Sequence, residues 1–161
     1  MNDKRLKKAI FISSTGGHLV ELMQLKPLFS KFDYHIVTEK TGSTKSLKDT
    51  YKERIDYLVF GTREKKISYI FKFGFNCLKS LWIFLKKRPD VVITTGTHTA
   101  VPLCFIAHLF RKKVVFIETY ANITTRTKSG NFVYKIADLF IVQWPEMLEL
   151  YPNAICLGGV F

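Results

Sequence analysis

Apolar positions along the chain fall into two alternating kinds of run. Short β-branched and aromatic runs, nearly continuous in their apolarity, read as strands: "KAIFISS" (8–14), "YHIVTE" (34–39), "RIDYLVF" (54–60), "PDVVITTG" (89–96), "KVVFIET" (113–119), "DLFIVQ" (138–143) and "AICLGG" (154–159). Longer stretches between them, at 17–29, 67–87 and 100–110, read as helices. A lysine-rich polar loop or short helix joins the second and third runs. Strands apolar throughout and separated by helices are what a parallel sheet covered on both faces requires. No repeat, low-complexity tract or linker interrupts the series. The expectation is one doubly wound, Rossmann-like α/β domain over 1–161.

One helix departs from the usual amphipathic pattern. In "ISYIFKFGFNCLKSLWIFLKK", Ser68, Lys72, Asn76 and Lys79 or Ser80 recur at helical spacing as one narrow polar stripe. The remainder of 67–85 is apolar or aromatic apart from Gly74. A helix lying on a sheet needs only part of its circumference apolar, so this one is expected to expose greasy surface. Eight Lys and Arg against one Glu between Arg63 and Arg88 supply a positive rim. Phe71, Phe75 and Trp82, with Lys72 and Lys79, suit a helix dipping into the headgroup layer of an anionic membrane surface. Two lysines and an asparagine in mid-segment make a spanning helix costly. The bland alternative is a buried crossover helix, or one covered by a protein partner.

Charge sharpens this reading. The 161 residues carry 25 Lys and Arg against 13 Asp and Glu, a net +12 with a pI near 9.7, which favours an anionic partner. The cations cluster beside apolar surface and no RNA- or DNA-binding motif is visible, so nucleic acid is not expected. Cys77, Cys104 and Cys156 are widely spaced in apolar surroundings, as buried thiols in a reducing compartment would be. The first apolar run is too short for a signal-peptide core, and a cytoplasmic location follows as the expectation.

Ligands of doubly wound sheets bind outside the carboxyl ends of the strands. Three loops rich in Gly, Thr, Ser and Asn fall there: "STGGH" after the first strand, "TTGTHT" after the fourth, and "ETYANITTRTKSG" after the fifth. Glycines at a strand-to-helix junction let the backbone approach a ligand, and helix-start N–H groups suit phosphate oxygens. Gly16, Gly17 and His18 form one such junction; Gly96, Thr97, His98 and Thr99 repeat the chemistry at the same sheet edge. Taken alone, the first loop is as well read as a tight turn with a surface histidine. Neither loop is GxGxxG or GxxxxGK[ST], which disfavours a nucleotide site of either type. No DxD, metal-ligand spacing or GxSxG elbow occurs, so no cofactor or metal is expected.

"SSTGGHLVEL", "TTGTHTAVP", "IETYAN" and "ADLFIVQWPEM", in that order, resemble the accessory subunit of two-chain glycosyltransferases. Eukaryotic members add the second N-acetylglucosamine to a dolichol-linked precursor. Bacterial relatives serve capsule and exopolysaccharide assembly, some in β-1,4-galactosyl transfer. The resemblance implies the N-terminal, acceptor half of a GT-B glycosyltransferase, working as a heterodimer with a donor-binding subunit that holds the UDP-sugar. It implies that Gly16, Gly17, His18, Gly96 and Thr97 cradle the diphosphate of a polyprenyl-linked sugar acceptor, with His18 alternatively the base that deprotonates the acceptor hydroxyl. Glu118 and Asn122 would face the acceptor or the partner, or Glu118 would cap the next helix. Gln143, Trp144, Pro145, Val160 and Phe161 would dock the partner, although Trp144 suits a core position equally. Attachment would be peripheral, on the inner face of the cell membrane. The alternatives are a self-sufficient small transferase and a non-enzymatic membrane scaffold for the catalytic subunit.

Overall fold

The computed structural model describes residues 5–61 and 66–160, the side chains of 66–68 excepted. Seven strands, β1 (Lys8–Ile12), β2 (Asp33–Lys40), β3 (Ile55–Val59), β4 (Val91–Thr94), β5 (Lys113–Ile117), β6 (Leu139–Val142) and β7 (Ile155–Cys156), form one sheet in the order β3-β2-β1-β4-β5-β6-β7. Every pairing is parallel. The expected doubly wound α/β architecture is therefore what the chain adopts, and all seven anticipated strands are present.

Two helical layers follow from the side-chain alternation of the strands. Ala9 and Phe11 of β1, with Ile36, Ile55 and Ile93, pack toward α1 (Gly17–Gln24), α2 (Lys26–Phe29) and α3 (Leu47–Tyr51). Ile10 and Ile12, with Val37, Val92, Phe116 and Phe140, pack on the opposite face. There they meet α4 (Lys66–Lys87), α5 (Val101–Leu109), α6 (Lys128–Val133) and α7 (Met147–Leu150). Cys104 is wholly buried in this layer, and loss of water pushes its thiol up to about 12.

The helices differ from the expected pattern in three respects. The stretch 17–29 is two helices, because Pro27 supplies no N–H to continue the first and instead starts α2. The short helices α6 and α7 had no counterpart in the pattern, being too brief to establish a period. Finally, two members of the polar stripe of α4, Asn76 and Ser80, point inward. Asn76 accepts from the Val59 N–H and donates to the Val59 carbonyl, both at 2.8 Å, closing the outer edge of β3; Ser80 is 1% exposed. The outward face carries Ile70, Phe71, Phe75, Leu78, Trp82 and Leu85. Phe71 is 75% and Leu78 69% exposed. Lys72 and Lys79 lie half-buried along the flank of the helix rather than on that face.

Candidate functional site

Strand order reverses between β1 and β4, so the chain leaves these neighbours in opposite directions and opens a crevice at their carboxyl ends. The pair Ile12↔Thr94 sets the two glycine loops side by side there. Gly16, at the N-cap of α1, has φ 76, a conformation that favours glycine. No side chain caps α1, and its first turn holds no acidic residue. Cβ atoms built at Gly16 or Gly17 would meet nothing within 4 Å, so the backbone faces open space. An uncapped, unneutralised helix start beside bare backbone is suited to an anion.

His18 is held in one orientation by the second loop. Its Nδ1 lies 2.8 Å from the Thr95 carbonyl, while the Thr95 hydroxyl donates to the His18 carbonyl at 2.7 Å. A carbonyl only accepts, so Nδ1 carries hydrogen and Nε2 bears the lone pair of the neutral ring. Gly96 makes this contact possible. Its φ is 106, and a Cβ there would stand 3.4 Å from His18 Nδ1. Thr97 follows at φ 79, strained for a β-branched residue by about 1–3 kcal/mol. Its hydroxyl is buried with no partner among the described residues. Strain and an orphaned hydroxyl at one position of the crevice mark Thr97 as more than a turn.

Glu21 escaped the sequence reading. Three residues after His18, it lies on the same side of α1, is 4% exposed, and accepts from the Thr119 hydroxyl (2.8 Å) and the Tyr120 N–H (3.0 Å). Its second oxygen is buried and unpartnered among the described residues. One helix thus grips the β4–α5 loop through His18 and the β5–α6 loop through Glu21. The only trace in the sequence was a carboxylate inside the apolar run "HLVEL".

The third loop is tied down at Glu118, which points inward and not toward an acceptor or a partner as expected, while Asn122 stays half-exposed in the loop. Glu118 is 1% exposed. It accepts from the Thr119 N–H (3.1 Å), the Thr127 hydroxyl (2.9 Å) and the Tyr151 hydroxyl (3.0 Å). Burial raises its pKa above the usual carboxylate range, and burial with the adjacent carboxyl raises that of Tyr151. Thr127 in turn caps α6 through Gly130, so Glu118 supports that cap indirectly. Asn122 bonds with Thr125 on both sides of its amide.

The residues expected to dock a partner divide similarly. Gln143 is 3% exposed, donating to the Glu118 carbonyl and accepting from the Val160 N–H, both at 2.9 Å, so its amide holds the carboxyl-terminal segment instead of presenting outward. Trp144 donates to the Tyr120 carbonyl at 2.8 Å, lies tilted against the Tyr120 ring at 4.6 Å, and packs half-buried on the core. Pro145 is exposed and Val160 half-buried. Phe161 lies outside the described residues. Among the described residues no three His, Cys, Asp or Glu gather as a metal site would need, and no helix is long and apolar enough to cross a membrane.

Residues 9–160 match the family described as "Oligosaccharide biosynthesis protein Alg14 like". The chain belongs to that Alg14-like family. Named relatives include the UDP-N-acetylglucosamine transferase subunit ALG14 of Rattus norvegicus, 28% identical over 177 residues, covering 94% of this chain and 82% of the rat protein. The Homo sapiens protein of the same name is 27% identical over 176 residues, with the same two coverages. Among solved structures, Acinetobacter baumannii MurG superposes with a TM-score of 0.71 at 17% identity, covering 87% of this chain and 42% of MurG. The UDP co-structure of S. aureus MnaA gives 0.74 at 15% identity, covering 96% of this chain and 46% of MnaA. These likenesses show a Rossmann-like fold of the GT-B kind. The Alg14-like chain spans less than half the length of either solved neighbour.

Proposed function

We propose that this Alg14-like chain is the acceptor-binding, membrane-docking subunit of a two-chain UDP-sugar glycosyltransferase, and that a donor-binding partner completes the crevice. The observation that carries this reading is the crevice itself: an uncapped α1 start with bare glycine backbone, and His18 pinned so that Nε2 faces away from its Thr95 anchor. Such a place suits the diphosphate of a polyprenyl-linked sugar. The apolar outer face of α4 suits the membrane that carries the lipid. We place the reaction at the cytoplasmic face, in polysaccharide assembly of the capsule or exopolysaccharide type. The relatives' names favour N-acetylglucosamine as the sugar moved; galactosyl transfer rests on the sequence resemblance alone.

Mechanistically, His18 Nε2 accepts the proton of the acceptor hydroxyl as that oxygen attacks the sugar's anomeric carbon and the UDP bond breaks, inverting the centre. The Thr95 carbonyl holds the ring's other N–H and stabilises the imidazolium that forms. The α1 start and the strained Gly96-Thr97 backbone fix the acceptor diphosphate, so the hydroxyl is oriented before the donor arrives. Thr97 offers its hydroxyl to the same group.

The test is transfer by the chain reconstituted with its donor partner on lipid-linked acceptor. His18→Ala is expected to reduce kcat by roughly a hundredfold or more with the vesicle-bound fraction unchanged. Unchanged turnover would leave only a scaffold role, and turnover by wild-type chain without a partner would establish a self-sufficient transferase. A base role lowers kcat in this way, whereas a phosphate ligand would chiefly raise KM.

A further inference from the structure

The chain's densest cationic runs do not lie near the crevice. Residues 5–8, 86–88 and 111–113 all fall at the amino ends of β1, β4 and β5, the sheet edge opposite the glycine loops. A cleft of about 340 Å³ opens at this edge, between the start of β1, the start of β2 and the end of α4. Lys8, Lys86, Lys87 and Arg54 line it, with His35 among its lining residues.

The acids nearby are already matched. Asp33 pairs with Arg54 at 3.0 Å and Glu53 with Lys48 at 3.6 Å. Asp56 meets His35 Nε2 at 2.8 Å, a bond that, with Lys87 and Lys86 nearby, holds its carboxyl below the usual range. None of the ammonium groups of Lys8, Lys86 and Lys87 lies within ion-pair distance of a carboxylate among the described residues. Lys86 instead sits 4.5 Å over the Trp82 ring, on the exposed apolar face of α4. The cleft therefore has surplus positive charge at the point where that face ends, with Trp82 one turn before Lys86 and Leu85 next to it, both half-exposed.

We propose that this cleft binds the phosphate ester of an anionic membrane phospholipid, whose acyl chains lie along Trp82 and Leu85. The proposal rests on the membrane-docking reading of α4 and adds headgroup selection at a second, non-catalytic site. Lys8 and Lys87 close on the phosphate from the β1 and α4 sides. His35, braced by Asp56, forms the floor. The arrangement sets the sheet edge at headgroup level, so one face of α4 and the basic cleft contact the membrane together.

The experiment is co-sedimentation of the full chain with vesicles of phosphatidylcholine alone and of phosphatidylcholine mixed with phosphatidylglycerol. Wild type is compared with Lys8→Gln/Lys87→Gln and with a control, Lys26→Gln/Lys45→Gln, that removes two exposed lysines elsewhere. The cleft variant is expected to lose roughly thirtyfold in affinity for the mixed vesicles, and the control no more than about twofold. Equal loss in both variants, or none in the cleft variant, overturns the site and leaves diffuse charge. Binding to neither vesicle by wild type sinks the membrane reading itself, while equal binding to both sinks only the cleft. The His35 ring resonance, followed by NMR, separates the sources. A shift with mixed vesicles alone assigns a membrane lipid; an equal shift with glycerol 3-phosphate in solution supports the cleft as a phosphate-ester site; no shift with either overturns it.

Discussion

His18 and Glu118 both looked like groups waiting for a ligand, yet their surroundings assign them different work. His18 has one nitrogen committed to the Thr95 carbonyl and the other available, at a half-buried position beside open backbone. Glu118 has its oxygens occupied by two hydroxyls and an N–H in the interior. Replacing Glu118 with Ala strands the Tyr151 and Thr127 hydroxyls, at about 1–3 kcal/mol for each buried donor. A thermal melt should show Tm falling by roughly 10 °C. The pH dependence has a definite sign. Because burial raises the pKa of Glu118 in the fold, its stabilising contribution is full below the unfolded value near 4.3 and is lost as pH rises through the folded value. The cost of Glu118→Ala should thus be larger near pH 4 than at pH 7; a larger cost at pH 7 would contradict the burial argument.

At the level of the element, α4 is apolar on more than one side. Asn76 closes the backbone of edge strand β3 and Ile83 and Phe84 pack into the core, while Ile70, Phe71, Phe75, Leu78, Trp82 and Leu85 face outward. Six large apolar side chains on that face stay uncovered among the described residues, and the proposed membrane contact would bury them. Phe71→Glu combined with Leu78→Glu should weaken binding to mixed phosphatidylcholine and phosphatidylglycerol vesicles by roughly tenfold or more. Because both side chains are already in water, the circular-dichroism melt should stay within about 2 °C of wild type. A large drop in Tm would mean the face is packed in the free protein.

Considered whole, the molecule has two unlike sheet edges. The carboxyl edge offers bare backbone, one oriented imidazole and a strained threonine. The amino edge carries the basic runs. The chain spans under half the length of its GT-B-like neighbours, and the proposed division of labour assigns the donor wall to the partner. Calorimetry on the isolated chain should accordingly find UDP binding no tighter than roughly 1 mM, and tighter binding should appear only after the donor-binding partner is added. Micromolar affinity for UDP in the isolated chain would refute the division between donor and acceptor halves.

The order of strands and long helices was legible in the sequence, because parallel strands buried on both faces must be written as unbroken apolar runs, and a 22-residue helix repeats its period enough times to be read. The glycine loops were legible too, since their composition departs sharply from that of their flanks. Other features depended on contacts between distant residues. Periodicity identifies which residues of α4 share a stripe but is silent on which stripe meets the sheet; that was decided by the free edge of β3, whose backbone needed Asn76. His18 meets Thr95 across 77 positions and Glu21 meets Thr119 across 98, and Glu118 is enclosed by side chains from two later segments. Local pattern has no access to such separations, because they arise only when the sheet brings its strand ends together.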